Sequence, residues 1–426
     1  MKFVTAVLFL GAVRISSSQD GHFPLLVDDV SSLPEEPDAH IEEEEEEEIL
    51  ISPVQRLAYS ISEFGYELYR QLASSSPNDN IFLSPLSVAT GLSSLSLGAI
   101  SRNKEILHRV LNYNLLNDLD IHRVYKDLLT DVTANPKKFK TVSRIYVNNK
   151  LKMRSNFLKQ VDSHYGARPK AMFGNYQQDL QSINTWVRSR TSGLITRAIS
   201  SVPEDISLFL LSAAHYKGQL LTKFNPAETV HKQFSVDYSQ YINIPMMSSS
   251  SYPLRYGYDS ELRCKIGLFR YAGDVSLLIF LPTDFTRNLS MIEENLNPVF
   301  IHDLVHQLQY VQARVSLPKL RFDIEQELKQ TLGEMRLSPL YTPSQLNKIS
   351  NMPLKISSIK HHAVLSLEEQ GVQEAPVLSP NDRQLIMDFH VSQPFIMVLY
   401  DNPTGSLLHI GRVLDPRGIV GHSHLQ

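Results

Sequence analysis

The sequence predicts an α+β fold, and three observations carry that prediction. Helix-patterned segments and strand-patterned segments come in runs, without the regular βαβ alternation of a parallel sheet. No linker or internal repeat interrupts the chain after residue 53. With 426 residues, 42% of them hydrophobic, the chain can bury a large core.

Leu57, Ile61, Phe64 and Leu68 fall on one face of a helix, which places a buried amphipathic helix at the start of the folded region. Next, Ser84-Pro85 supplies an N-cap followed by a proline in the first turn, and apolar positions continue through Leu97. Further on, Ile206–Leu211, Val275–Leu281 and Ala313–Leu317 read as strands. Cys264 is the single cysteine, so no intrachain disulfide forms. It lies in the alternating segment Leu262–Ile266, which predicts a buried, inert thiol on the apolar side of a strand. Two more strands, Ala363–Leu367 and Phe395–Tyr400, flank a polar segment that no core would bury, Ser379–Gln384. A long exposed loop between buried strands is usually functional.

The ends of the chain have their own character. Lys2, the apolar stretch Phe3–Val13 and the small residues Ser16–Ser18 form a secretory signal over residues 1–18, too short to span a bilayer. Residues 19–50 carry thirteen acidic side chains and no Lys or Arg, ending in seven consecutive glutamates. A disordered acidic segment over 19–52 is expected from that self-repulsion. Beyond it, residues 51–426 hold 39 Lys and Arg against 32 Asp and Glu, so the body is basic although the whole chain carries a net charge of −4. Asn288-Leu289-Ser290 is a glycosylation sequon, which in a secreted chain marks a surface position. His422 and His424 sit in a polar tail, residues 419–426.

Five motifs in order resemble the serpins over roughly residues 53–418: Asn80–Ser87, Ile183–Val187 with Thr191–Ile195, His215–Gly218, Ile244–Met247 and the C-terminal Gln393-Pro394-Phe395. Ser392 departs from the family pattern, which has Asn or Asp there. The resemblance implies a serpin fold of about nine helices around three β-sheets. It makes Glu368–Leu385 an exposed reactive-centre loop, with a nominal scissile bond from Leu385 to Ile386, suited to a chymotrypsin-like protease. It also implies that Ser84, Asn184 and His361 form a hydrogen-bonded cluster beneath the main sheet.

Inhibitory serpins insert the cleaved loop as a new central strand, where alternate side chains face inward. Counted from Gly371, the inward set is Val372, Glu374, Pro376 and Leu378. Glu374 would bury a carboxylate without an evident partner, at a cost of several kcal/mol. Pro376 lacks the N–H that a central strand donates. The hinge therefore predicts a non-inhibitory serpin, with an active inhibitor as the alternative.

Enzymatic signatures are missing from the sequence: it has no Gly-x-Ser-x-Gly elbow, His-Glu-x-x-His or phosphate loop, and no cofactor or metal site is expected. The charged surface is a better functional signal. Residues 137–197 contain thirteen Lys and Arg against Asp162 and Asp179 alone. Lys137, Lys138 and Lys140, then Lys150, Lys152 and Arg154 alternating along a strand, then Arg188 and Arg190 on the next helix, form a candidate site for heparin or heparan sulfate. Extracellular polyanions of that kind are the expected ligands, rather than nucleic acid. Within the family, the resemblance points to matrix-binding members. By position it implies collagen contacts at Asp259, Glu261 and Asp303, and contacts with cell-surface receptors through Pro53–Asn80 and Ile81–Asp120. A monomer is expected.

Overall fold

In the computed structural model, which describes residues 51–419 except 117, 285–287, 344–345 and 375–385, Ser52 opens helix α1 (Pro53–Ser75) through a capping box with Gln55. The expected stripe is buried: Leu57, Ile61, Phe64 and Leu68 are at most 2% exposed. Strand β1 (Ile81–Leu83) runs into α2 (Pro85–Ser96), all twelve residues of which are buried. Ser84 takes the N-cap position of α2, but its hydroxyl makes no capping bond, contrary to the sequence expectation. Helices α3 (Ser101–Val110) and α4 (Ile121–Val132) follow, then β2 (Phe139–Val147), α5 (Ser155–Tyr165), β3 (Lys170–Ala171) and α6 (Tyr176–Arg190). Asp120 and Asn175 cap α4 and α6 with their side chains.

The second half is mostly strand. In order come β4 (Leu208–Tyr216), β5 (Leu220–Thr222), β6 (Val230–Ser235), β7 (Tyr241–Asp259), β8 (Cys264–Tyr271) and β9 (Val275–Pro282). Helices α7 (Asn288–Asn295) and α8 (Pro298–Gln307) lead to β10 (Gln309–Pro318), β11 (Leu320–Glu327) and the short α9 (Lys329–Leu332). The chain closes with β12 (Ile356–Leu367), β13 (Gly371–Gln373), β14 (Met387–His390), β15 (Phe395–Asp401) and β16 (Ser406–Val413). Cys264 is fully buried in β8, and burial pushes its thiol up to about 12, so it is inert as expected.

Hydrogen bonding among the described residues makes two sheets. One has five strands in the order β11-β12-β4-β2-β3. The other has eleven, with β1-β16-β15-β9-β8-β7-β10-β14 as its spine. The second and third of the expected layers are continuous because β7, nineteen residues long, pairs with β6 at its start, β8 at its end and β10 along much of its length.

The five-stranded sheet is covered on both faces. On the inner side α2 and the main core pack against Leu208, Leu210, Ala214, Ala363 and Leu365. On the outer side Ile183 and Val187 of α6 pack against Phe209, Leu211, Ala213 and Val364. Double coverage explains why every residue of β4 is buried, Ser212 and His215 included.

A buried charge hub ties α1, α7 and β16 together. The Arg412 guanidinium lies 3.1 Å from Glu293, bonds the carbonyls of Ser76 and Asp79, and shares Glu293 with the Tyr69 hydroxyl at 2.8 Å. Removing one partner of such a pair strands a buried charge. Glu293→Ala is expected to cost about 3–5 kcal/mol, measured by urea unfolding against the parent.

Candidate functional site: the loop hinge and the charged faces

The central seam of the five-stranded sheet lies between β4 and β12. These strands run parallel and pair from Ile356 opposite Leu208 to Leu365 opposite Tyr216, with a register shift at Ser357 only, so no gap is open for another strand. A side-chain bond also crosses the seam, between Ser212 Oγ and His361 Nδ1 at 2.8 Å. His361 Nε2 accepts the backbone N–H of Ser84 at 2.9 Å. The proton therefore sits on Nδ1, which donates to Ser212. Burial, with His362 nearby, lowers the His361 ring to about 3 and keeps it neutral. The hydroxyl of Ser84 is buried and has no partner, so nothing activates it as a nucleophile.

Asn184 does not join Ser84 and His361, which corrects the expected three-residue cluster. Its amide holds the loop at 198–199, accepting from the Ala198 and Ile199 N–H groups at 2.7 and 3.0 Å. The reason is strand alternation. His361 points to the inner face with Ala363 and Leu365, whereas α6 and Asn184 lie on the outer face, where His362 meets Ala198 and Asp323.

Beyond β12 the hinge turns away from the seam. Strand β13 pairs in parallel with β5, Gly371 opposite Leu220 and Gln373 opposite Thr222. Backbone bonds run from Leu220, Lys223 and Phe224 to the carbonyls of Gln370, Gln373 and Glu369, at 3.1, 2.8 and 3.0 Å. Three ion pairs reinforce them: Lys217 with Glu368 at 3.2 Å, Lys319 with Glu369 at 2.8 Å, and Lys223 with Glu374. Burial alone would raise the Glu369 carboxyl, but bonds from Lys319 and Thr229 hold it below the usual range. Gly371 is required here, since a Cβ would sit 2.6 Å from the Lys223 backbone.

Val372 is 56% exposed, and Glu374, whose pairing the sequence left unassigned, reaches a lysine at the surface. Pro376 and Leu385 fall outside the described residues. Ile386, half-buried, leads into β14, which pairs in parallel with β10 and is fixed by a bidentate Arg314–Asp388 bond at 2.7 and 3.0 Å.

The basic residues divide into groups. Lys137 is withdrawn from the surface, a correction to its place among the heparin residues: it is buried and pairs at 2.6 Å with the fully buried Asp401. Lys138 and Lys140 are exposed at the start of β2. Lys150, Lys152 and Arg154 are exposed while Leu151 and Met153 pack against the core, as the alternation predicted. None of them lies in a strand: Lys150 sits in a turn closed by the Leu151 N–H on the Asn148 carbonyl, and the Arg154 N–H bonds the Ile349 carbonyl rather than a ladder partner. Strand β2, nine residues or about 26 Å from end to end, runs from the first group toward the second.

Arg144, on β2, lies over the Trp186 ring at 4.6 Å and so ties α6 to this face. Arg188 and Arg190 are exposed in the last turn of α6, where Arg190 bonds the Gly166 carbonyl.

On the acidic side, the half-buried Asp259 accepts the N–H groups of Glu261 and Leu262 at 2.9 and 2.8 Å, closing the turn from β7 to β8. Glu261 and Asp303 are exposed. Helix α8 delivers the chain into β10, whose first residue, Gln309, lies opposite Tyr256, so Asp303 and Asp259 occupy the same end of the sheet. Asn288 is the first residue of α7.

A two-sheet α+β body whose C-terminal loop leaves a paired central seam defines the class, and the chain belongs to the serpin family: the family model described as Serpin (serine protease inhibitor) matches residues 59–416. It is 44% identical over 377 residues to human pigment epithelium-derived factor, covering 88% of this chain and 90% of that one. The bovine protein of the same name is 42% identical, with 88% and 91% covered. Among solved structures, mouse protein-Z dependent protease inhibitor superimposes with a TM-score of 0.79 at 22% identity, covering 85% of this chain and 98% of that one.

Sequence inspection missed Lys217, Lys223 and Lys319 as hinge partners. Lys319 is fifty residues from Glu369, and only the fold brings them together.

Burial holds His361 at about 3 and His108, His122 and His215 at about 4, against an ordinary value of 6.5. The unfolded chain therefore takes up protons below pH 6.5 that the native state refuses, and stability falls as pH drops from 6.5 toward 4. His361 alone contributes about 1.4 kcal/mol per pH unit in that window. The melting temperature at pH 5 is expected to lie below that at pH 7, and His361→Gln should flatten the slope.

Proposed function

We propose that this serpin is secreted, does not trap proteases, and acts as a binding factor for heparin-like glycans, collagen and cell-surface receptors. The neurotrophic and antiangiogenic roles implied by its resemblance to pigment epithelium-derived factor are assigned on that basis. The observation that carries the reading is the hinge. Its first residues pair with β5 and are held by three lysines, while the seam that would have to open is paired without a break from Ser358 to Leu365. Pro376 lies further along the segment that would insert, and Glu374 would have to leave Lys223 and be buried.

A catalytic role finds no support in Ser84 and His361, which are buried and linked through a backbone N–H. Secretion is supported by the N-terminal signal, and among the described residues no helix is long and apolar enough to cross a membrane. For receptor contact, the fully buried α2 leaves α3, most of whose residues are not buried, as the helix of Ile81–Asp120 that a partner can reach.

Incubation with a chymotrypsin-like protease should cut the loop near Leu385-Ile386 without a complex that survives a denaturing gel, and without a rise in melting temperature. A covalent complex would establish the inhibitor alternative instead. On immobilised heparin, Lys140→Gln with Lys150→Gln and Lys152→Gln should elute at distinctly lower salt, because screening weakens such contacts. An unchanged elution would retire the basic face as a site. Deleting residues 19–50 should shift elution to higher salt if the glutamates compete for that face.

A further inference from the structure

The exposed face of α8 carries His302 and His306, one turn apart, with ring centroids separated by 4.5 Å. His306 Nδ1 lies 2.8 Å from the His302 backbone carbonyl. A carbonyl can only accept, so Nδ1 carries the proton and Nε2 keeps a free lone pair. Orientation of one ring nitrogen by a backbone carbonyl, with the other left free, is the arrangement that metal-ligating histidines use. Among the described residues the His302 ring forms no side-chain hydrogen bond, and the one ring packed against it is that of His306.

The platform is fixed. Asn297 caps α8 through the Phe300 N–H at 2.9 Å, and Ile301 and Leu304 anchor its inner face. His306 lies in the last turn, where the helix dipole favours a cation, and the exposed Asp303 adds negative charge beside the pair.

We propose that His302 and His306 form a two-histidine site for a divalent transition-metal ion, Zn²⁺ being the ion tested. Paired imidazoles select zinc, copper or nickel over calcium and magnesium, which prefer oxygen ligands. No group of three or more His, Cys, Asp or Glu among the described residues is placed to enclose an ion. The site is therefore open, with water or a partner's ligand completing the coordination. It is independent of the reading of the loop.

The test is calorimetric titration of Zn²⁺ into the full chain carrying His422→Ala and His424→Ala, which removes the imidazoles of the tail. One ion per chain is expected, with no response to Ca²⁺. His302→Gln and His306→Gln should each weaken binding at least tenfold, while the metal-free melting temperature stays unchanged because both side chains are exposed. A second measurement needs no variant at α8: ring-nitrogen NMR should show the Nε2 signal of His306 shifting on zinc addition. Binding that both substitutions leave intact, an unmoved Nε2 signal, or no heat with Zn²⁺ would each overturn the site.

Discussion

The pairing of β4 with β12 is the constraint on which the rest of the molecule depends. Both strands are covered by the main core on one side and by α6 on the other, so opening the seam would break a parallel ladder and expose two apolar layers together. The neutral His361 spans that seam from β12 to Ser212 on β4, while Ser84 at the start of α2 holds it from below. A protonated ring could not accept the Ser84 N–H, so the link depends on burial keeping this histidine uncharged.

The hinge extends the same logic outward. Gly371 permits the close approach to Lys223, parallel pairing with β5 fixes the direction of the chain, and the lysines at 217, 223 and 319 neutralise three glutamates around it. Exposed ion pairs contribute little singly. Their significance is positional, because they occupy the acidic side chains in the outward conformation and leave no charge seeking a partner at the seam.

Much of this was legible in the sequence. The stripe Leu57, Ile61, Phe64 and Leu68, a strand through Leu208–Leu211 and the buried position of Cys264 follow from local pattern, and all three are buried. The exposure of Lys150, Lys152 and Arg154 also follows from alternation, although their segment finds no strand partner. Lys137 looked like its basic neighbours, but Asp401 draws it inside from more than 250 positions away along the chain. Asn184 looked like a companion of His361, and one step of strand alternation together with the placement of α6 puts it on the opposite face.

By itself, then, the sequence determined the family, the element types, the separation of an acidic leader from a basic body, and a hinge chemically unsuited to a central strand. These depend on local pattern and residue type, which sequence displays directly. Only the tertiary structure decided which lysine pairs with which glutamate, which cations remain at the surface, and that His302 and His306 share a free face. Those outcomes depend on contacts between distant segments, whose free energies are set by burial and geometry that no local window contains.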